Sequence, residues 1–163
     1  MATQHPVRCT YEIDAQPDAV YHMFTARLGD WWPLVYTFSG PDCAGAEVEP
    51  KEGGEWYERT TKGERISWGK VKHIEPGRRM ILEFAVGADR KPVPSERSST
   101  VEISFEGLPR GGTLVAVEHR DFDRHGDVGA QMSENMGSPQ GWPVILAELA
   151  RGVRITSRAG REA

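Results

Sequence analysis

Cysteine is scarce in this sequence. Its 163 residues hold two, Cys9 and Cys43, in no CxxC spacing and beside no histidine-rich segment. Such an isolated pair reads as reduced thiols in a cytoplasmic protein rather than as a disulfide framework. Long apolar runs are missing too. No stretch approaches the roughly 18 residues that a membrane span needs, and the opening Met1–Pro6 lacks the apolar run of a signal peptide. The expectation is a cytoplasmic protein with no membrane insertion. Charge of one sign is also absent: the net charge is −4, with acids and bases interleaved. A nucleic-acid partner would call for a basic stripe to release counterions. The one basic cluster, Arg151 to Arg161, reads as a solvated tail. No G-x-S-x-G, P-loop or post-strand G-x-G-x-x-G occurs, so no catalytic signature declares a chemistry. No cofactor or metal is expected.

What is present is ordinary for a folded domain: 38% hydrophobic and 27% charged residues. The length suits one domain that buries a sizeable core. Without repeats or a linker, a single domain over 1–163 is expected, with its core at 7–154. Val7, Cys9, Tyr11 and Ile13 alternate with polar residues and predict a half-buried strand. Pro17 suits a first helical turn. Val20, Tyr21, Phe24 and Leu28 then predict a short amphipathic helix stopped by Gly29, with Trp31-Trp32-Pro33 beginning an aromatic loop or a second short helix. Further strands are predicted at Ala46 to Glu49, Glu55 to Thr60, Ile66 to Ile74, Arg79 to Val86, Ser98 to Phe105 and Thr113 to Arg120. Their short joins, Gly53-Gly54 among them, imply an antiparallel meander. Gly69 marks a bulge candidate.

In the later strands Val101, Ile103 and Phe105 share an inner face, as do Val115, Val117 and His119. Asp123 to Gly126 reads as a loop, and Val128, Met132 and Met136 fit one helical face. Ser138-Pro139 carries an N-cap and first-turn signature, leading to Trp142, Ile145, Leu146, Leu149 and Val153 at helical spacing. One bent helix or two consecutive ones fit this segment.

The order strand, helix, helix, six-strand meander, long C-terminal helix resembles the START-like helix-grip fold of the SRPBCC superfamily. Within it, the chain is similar to bacterial homologues of the family named for the activator of the heat-shock protein 90 ATPase. The resemblance runs from about Val7 to Ala150. It rests on Trp31-Trp32-Pro33, on Glu49 to Gly54 leading to Trp56-Tyr57-Glu58, and on Trp68-Gly69-Lys70-Val71. Glu75-Pro76, Gly112-Thr113, Glu118-His119-Arg120, and Gly141-Trp142 with Leu146 complete it. It implies an α+β fold with a six- to seven-stranded antiparallel sheet wrapped around a long C-terminal helix, and an elongated cavity between them. Members of this fold often form dimers, so a homodimer is a possible assembly. Related folds bind lipids, hormones or polyketides, some act as cyclases or aromatases, and the namesake domain stimulates a chaperone.

Several residues stand out as candidates. His119, Asp121 and His125 lie within seven residues, so metal binding or acid–base chemistry is one reading. The spacing fits no established metal motif, and two of the three read as water-facing turn residues. His119 differs, because its parity aims it inward as a polar handle for an apolar pocket. Five tryptophans are many for this length. Most must pack the core, yet Trp31, Trp32, Trp68 and Trp142, with Phe84, also suit a cavity wall. Met132 and Met136 would add adaptable apolar surface. Cys43, in a polar Gly/Pro/Asp turn with no base nearby, reads as inert. The leading expectation is non-covalent binding of a small hydrophobic or aromatic molecule by Trp31, Trp32, Trp68, Phe84, His119, Met132, Met136 and Trp142, with no residue assigned to catalysis. The alternatives are a cyclase- or hydrolase-type enzyme using His119 as acid–base, and a co-factor of a chaperone ATPase.

Overall fold

The computed structural model describes residues 6–162, with side chains described through residue 156. Residues 1–5, the end of the Arg151–Arg161 cluster and the outer limits of the expected 1–163 domain lie outside that description. In chain order the elements are β1 (Val7–Ile13), α1 (Pro17–Thr25), β2 (Cys43–Val48), β3 (Glu55–Thr60), β4 (Arg65–Glu75), β5 (Arg79–Phe84), β6 (Ser99–Gly107) and β7 (Thr113–Arg120), followed by α2 (Gly129–Gly137) and α3 (Trp142–Glu162). The strands form one antiparallel sheet in the order β1-β7-β6-β5-β4-β3-β2. β1, the first strand in sequence, pairs with the last, β7. A single meander therefore curls around, and α1 and α3 pack on its concave face. Among the described residues, no helix is long and apolar enough to cross a membrane.

Period-two alternation carries through β7, whose residues from Thr113 to Arg120 alternate buried and half-buried. The inner face holds Val101, Ile103 and Phe105 of β6 opposite Val115, Val117 and His119 of β7. The bulge expected at Gly69 is present: the β3–β4 register shifts beside the Trp56–Gly69 pair, and Gly69 takes φ +143°. A side chain there would overlap the Glu83 carbonyl, which accepts the Trp56 Nε1–H bond at 2.7 Å.

Four expectations need correction. α1 stops at Thr25, not at Gly29: the Thr25 hydroxyl bonds back to the Tyr21 carbonyl at 2.9 Å, and Leu28 is buried from a separate 3-10 turn. Gly29 serves a close approach instead, since a Cβ on it would stand 2.5 Å from the backbone nitrogen of Ala46. β2 begins at Cys43 rather than Ala46, because the Gly40–Asp42 turn delivers the chain straight into pairing with Thr60. Ser138 does not cap the last helix. Its hydroxyl closes α2 on the Asn135 carbonyl at 2.7 Å, and α3 starts at Trp142 with the Ile145 amide bonded to the Gly141 carbonyl. Two helices therefore meet at a tight return. Gly141 is required there because a Cβ on it would overlap the Met136 carbonyl. Finally, Phe122–Val128 forms 3-10 turns rather than an open loop, and Val128 is exposed instead of sharing the buried face of Met132 and Met136.

The space between sheet and α3 is filled by rings. Trp32 lies at its centre, with ring centroids 5.6 Å from Trp31, 5.8 Å from Trp56, 5.1 Å from Trp68 and 6.3 Å from Trp142. Most of these contacts are tilted or edge-to-face, the geometry that aromatic quadrupoles favour. The resemblance implies an elongated opening here, but an aromatic core occupies it. The open volume lies at the rim.

A groove at the rim and a buried relay behind it

The strand β5 ends at Phe84. The chain then makes a hairpin-like loop closed by a bridge between Val86 and Pro92. Across from that loop stand the Leu34–Tyr36 turn and one face of α2, with Met132 and Met136 one helical turn apart. Together they enclose a groove of about 360 Å³. Its floor is apolar, made by Phe84, Val86, Met132 and Met136, and its rim carries Tyr36 and Arg90. The Tyr36 hydroxyl donates to the Gln140 carbonyl, tying the turn to the return between α2 and α3. Burial pushes the Tyr36 phenol above its usual pKa, and the Arg90 guanidinium partly offsets this. The groove thus joins an apolar floor to a polar rim of Tyr36, Thr37, Arg90, Asn135, Ser138 and Gln140, at the lower end of the range of about 300–1,000 Å³ of small-molecule sites.

Behind Phe84 lies a buried polar line. The His119 ring meets Phe84 edge-on at 4.9 Å between centroids and lies 4.2 Å from Phe122. Its Nδ1 accepts a hydrogen bond from Trp142 Nε1 at 3.1 Å, and its Nε2 lies 2.8 Å from Ser99 Oγ. The same hydroxyl lies 2.7 Å from Nε2 of His125. His119 is 0% exposed and His125 4%. Burial drives the His119 pKa well below the usual imidazole range, and a charge on His125 would lower it further. His125 is depressed as well, by burial first and then by Arg97. Both shifts favour the neutral ring.

A second buried polar group was not foreseen in the sequence. Glu58, 0% exposed on β3, receives Trp68 Nε1 at 2.7 Å, the Phe38 amide at 2.6 Å and the Ser39 amide at 2.9 Å, and also the Ser39 hydroxyl. Four donors compensate a desolvated carboxylate that would otherwise be very costly to bury. Glu58 thereby pins the turn that follows Tyr36 to the sheet.

The expected residues separate into three groups. Phe84, Met132 and Met136 line the groove. Trp31 and Trp32 border another groove of about 400 Å³, against Arg151, Gly152 and Ile155 of α3. Trp68, His119 and Trp142 line neither and belong to the core. Of the histidine-rich constellation, His119 and His125 come together, but His125 is buried and does not face water as a turn residue would. The exposed Asp121 stays apart: it adopts φ +65° and accepts from Thr100 Oγ1 at 2.7 Å. Among the described residues, no three His, Cys, Asp or Glu side chains gather as a metal site.

The model of the Activator of Hsp90 ATPase homolog 1-like proteins matches residues 14–154. The chain belongs to that family. Solved members of this family's fold align over nearly the whole chain. A Nitrosomonas europaea protein superposes with a TM-score of 0.68 at 17% identity, covering 97% of this chain and 99% of its own, which speaks for the fold alone. An anthrahydroquino-γ-pyrone synthase, Txn09, is 29% identical over 93% of this chain and 99% of its own, with a TM-score of 0.65. CalC, a self-sacrificing resistance protein from Micromonospora echinospora, is 25% identical over 92% and 94%, also at 0.65. No curated protein matches the sequence.

Proposed function

We propose that this family member binds a small, largely apolar aromatic molecule without covalent chemistry, in the groove floored by Phe84, Met132 and Met136. The observation that carries this reading is the groove itself, about 360 Å³ in volume, floored by apolar side chains and rimmed by Tyr36 and Arg90. Burying ~250 Å² of ligand surface contributes about 6 kcal/mol gross at ~25 cal/mol per Å². Association costs offset several kcal/mol of this, so the expected affinity is micromolar or weaker. Txn09 is named as an anthrahydroquino-γ-pyrone synthase, and that lends support to a fused-ring aromatic ligand here. The enzyme reading built on His119 has less support. Both its ring nitrogens are engaged inside the core, and it borders neither groove, so no nitrogen is free to meet a substrate.

The test uses 1,8-dihydroxyanthraquinone as the probe, titrated against wild type and Asn135→Trp. Asn135 is exposed at the groove mouth, so a tryptophan there plugs the opening without entering the core. Micromolar or weaker binding that drops at least tenfold in the variant supports the reading. Equal binding by both proteins, or none by wild type, rejects it.

A further inference from the structure

Another groove opens on the far side of the Gly87-Ala88 turn, about 480 Å³ in volume, with Val93, Val128, Arg97 and His125 among its lining residues. We propose that this groove is a carboxylate-recognition site for a small apolar acid, with His125 Nδ1–H and the Arg97 guanidinium as its two donors.

The buried hydrogen-bond line runs in one direction. An indole N–H can only donate, so Nδ1 of His119 must accept from Trp142. A neutral imidazole then carries its proton on Nε2, which donates to Ser99 Oγ at 2.8 Å. The Ser99 hydroxyl has its own proton to place, and its other side-chain partner is Nε2 of His125 at 2.7 Å. That nitrogen must accept. His125 consequently holds its proton on Nδ1, and the tautomer is set by a tryptophan three groups away.

His125 lines the groove. Among the described residues, the one buried side-chain polar atom without a partner is the Tyr21 hydroxyl oxygen. Nδ1 of His125 has no described partner either, so it is not sealed in the core. Arg97 supplies the second donor. Its guanidinium makes no hydrogen bond or ion pair among the described residues, the backbone amide alone bonding to the Pro94 carbonyl, and its Nη2 lies 3.1 Å from where a Cβ on Gly126 would stand. Gly126, at φ +76°, leaves the guanidinium room to lie along the backbone next to His125. The groove does contain a carboxylate, Asp89, but it is turned back to accept the Lys91 amide at 3.1 Å. Two unclaimed donors, one permanently charged, above walls of Val93 and Val128 fit a carboxylate on an apolar body. Such charge-assisted bonds are about twice as strong as neutral ones. This site is distinct from the Met132–Met136 groove, and neither proposal depends on the other.

The experiment titrates the protein with 1-naphthoate and with uncharged 1-naphthamide. Naphthoate should bind at least tenfold more tightly than the amide. Arg97→Gln should abolish that preference, and Asn135→Trp should leave it within about twofold. Arg97 is exposed, so its replacement does not threaten the fold. Independently, the ¹⁵N shifts of His125 should report the Nδ1–H tautomer in wild type. Equal binding of acid and amide, an Arg97→Gln protein that keeps the preference, or an Nε2–H tautomer at His125 would each overturn the proposal.

Discussion

Ser99→Ala removes one oxygen that serves two histidines. In the wild type this hydroxyl accepts from His119 Nε2 at 2.8 Å and donates to His125 Nε2 at 2.7 Å. Losing a net hydrogen bond costs about 0.5–1.5 kcal/mol, and leaving a fully buried donor unpartnered costs about 1–3 kcal/mol more. His119 is 0% exposed and water cannot replace the lost acceptor, whereas His125 can turn to its groove. The expected loss is therefore about 1.5–4.5 kcal/mol, which for a chain of this length lowers Tm by roughly 3–18 °C. Ser98→Ala is the internal control. Ser98 is equally buried, but its hydroxyl makes one bond, to the Ser95 carbonyl at 2.8 Å. That loss should stay near 0.5–1.5 kcal/mol. Urea denaturation of both variants with unchanged m-values measures the difference. If Ser99→Ala costs no more than Ser98→Ala, the relay is not an energetic unit and the tautomer argument built on it fails.

Two further outcomes follow from the same packing. Trp142→Ala should cost about 3–5 kcal/mol in chemical denaturation, because it empties a large core site and strips His119 of its donor; a loss below about 1 kcal/mol would mean the indole borders open space. Stability should also fall as pH drops below about 6.5, the ordinary histidine value. The folded state holds His119 and His125 neutral while the unfolded chain takes up protons, giving up to about 1.4 kcal/mol per pH unit for each ring. The decline continues until pH reaches the depressed folded values. His73 acts in the opposite sense, since hydrogen bonds to Glu75 and Glu52 raise its pKa, but that pairing is exposed and screened. Denaturation curves from pH 7.5 to 5.5 should show the decline, and His119→Gln should make it shallower; a flat profile would contradict the buried neutral pair.

Much of the sheet was legible because strand alternation is a local signal. The strands at Glu55–Thr60 and Thr113–Arg120 match the sequence pattern end to end, and the parity of Val115 and Val117 turned His119 inward. Ser99 shares the parity of Val101 and Ile103, so the sequence carried a signal for its inward aim that polarity concealed. His125 offered no such signal. It sits in Asp-Phe-Asp-Arg-His-Gly, a polar run that reads as loop, and it is buried by a strand 26 residues earlier in the chain. Glu58 was hidden for the same reason, since its four donors come from Trp68 and from the turn at Phe38 and Ser39. The groove depends on three segments far apart in sequence, the turn at 34–36, the loop after Phe84 and α2. Periodicity placed Met132 and Met136 on one face but could not say what they faced.

The measurement closest to the central claim follows the methyl groups of the methionines in ¹³C-methyl-labelled protein during titration with 1,8-dihydroxyanthraquinone. Met132 and Met136 line the groove, whereas Met23 and Met80 are buried away from it and serve as references. Binding in this groove produces saturable shifts at Met132 and Met136 with a common midpoint in the micromolar range or weaker, and little change at Met23 and Met80. Uniform shifts at all four methyls, or shifts at the references alone, would show that the molecule binds elsewhere and would contradict it.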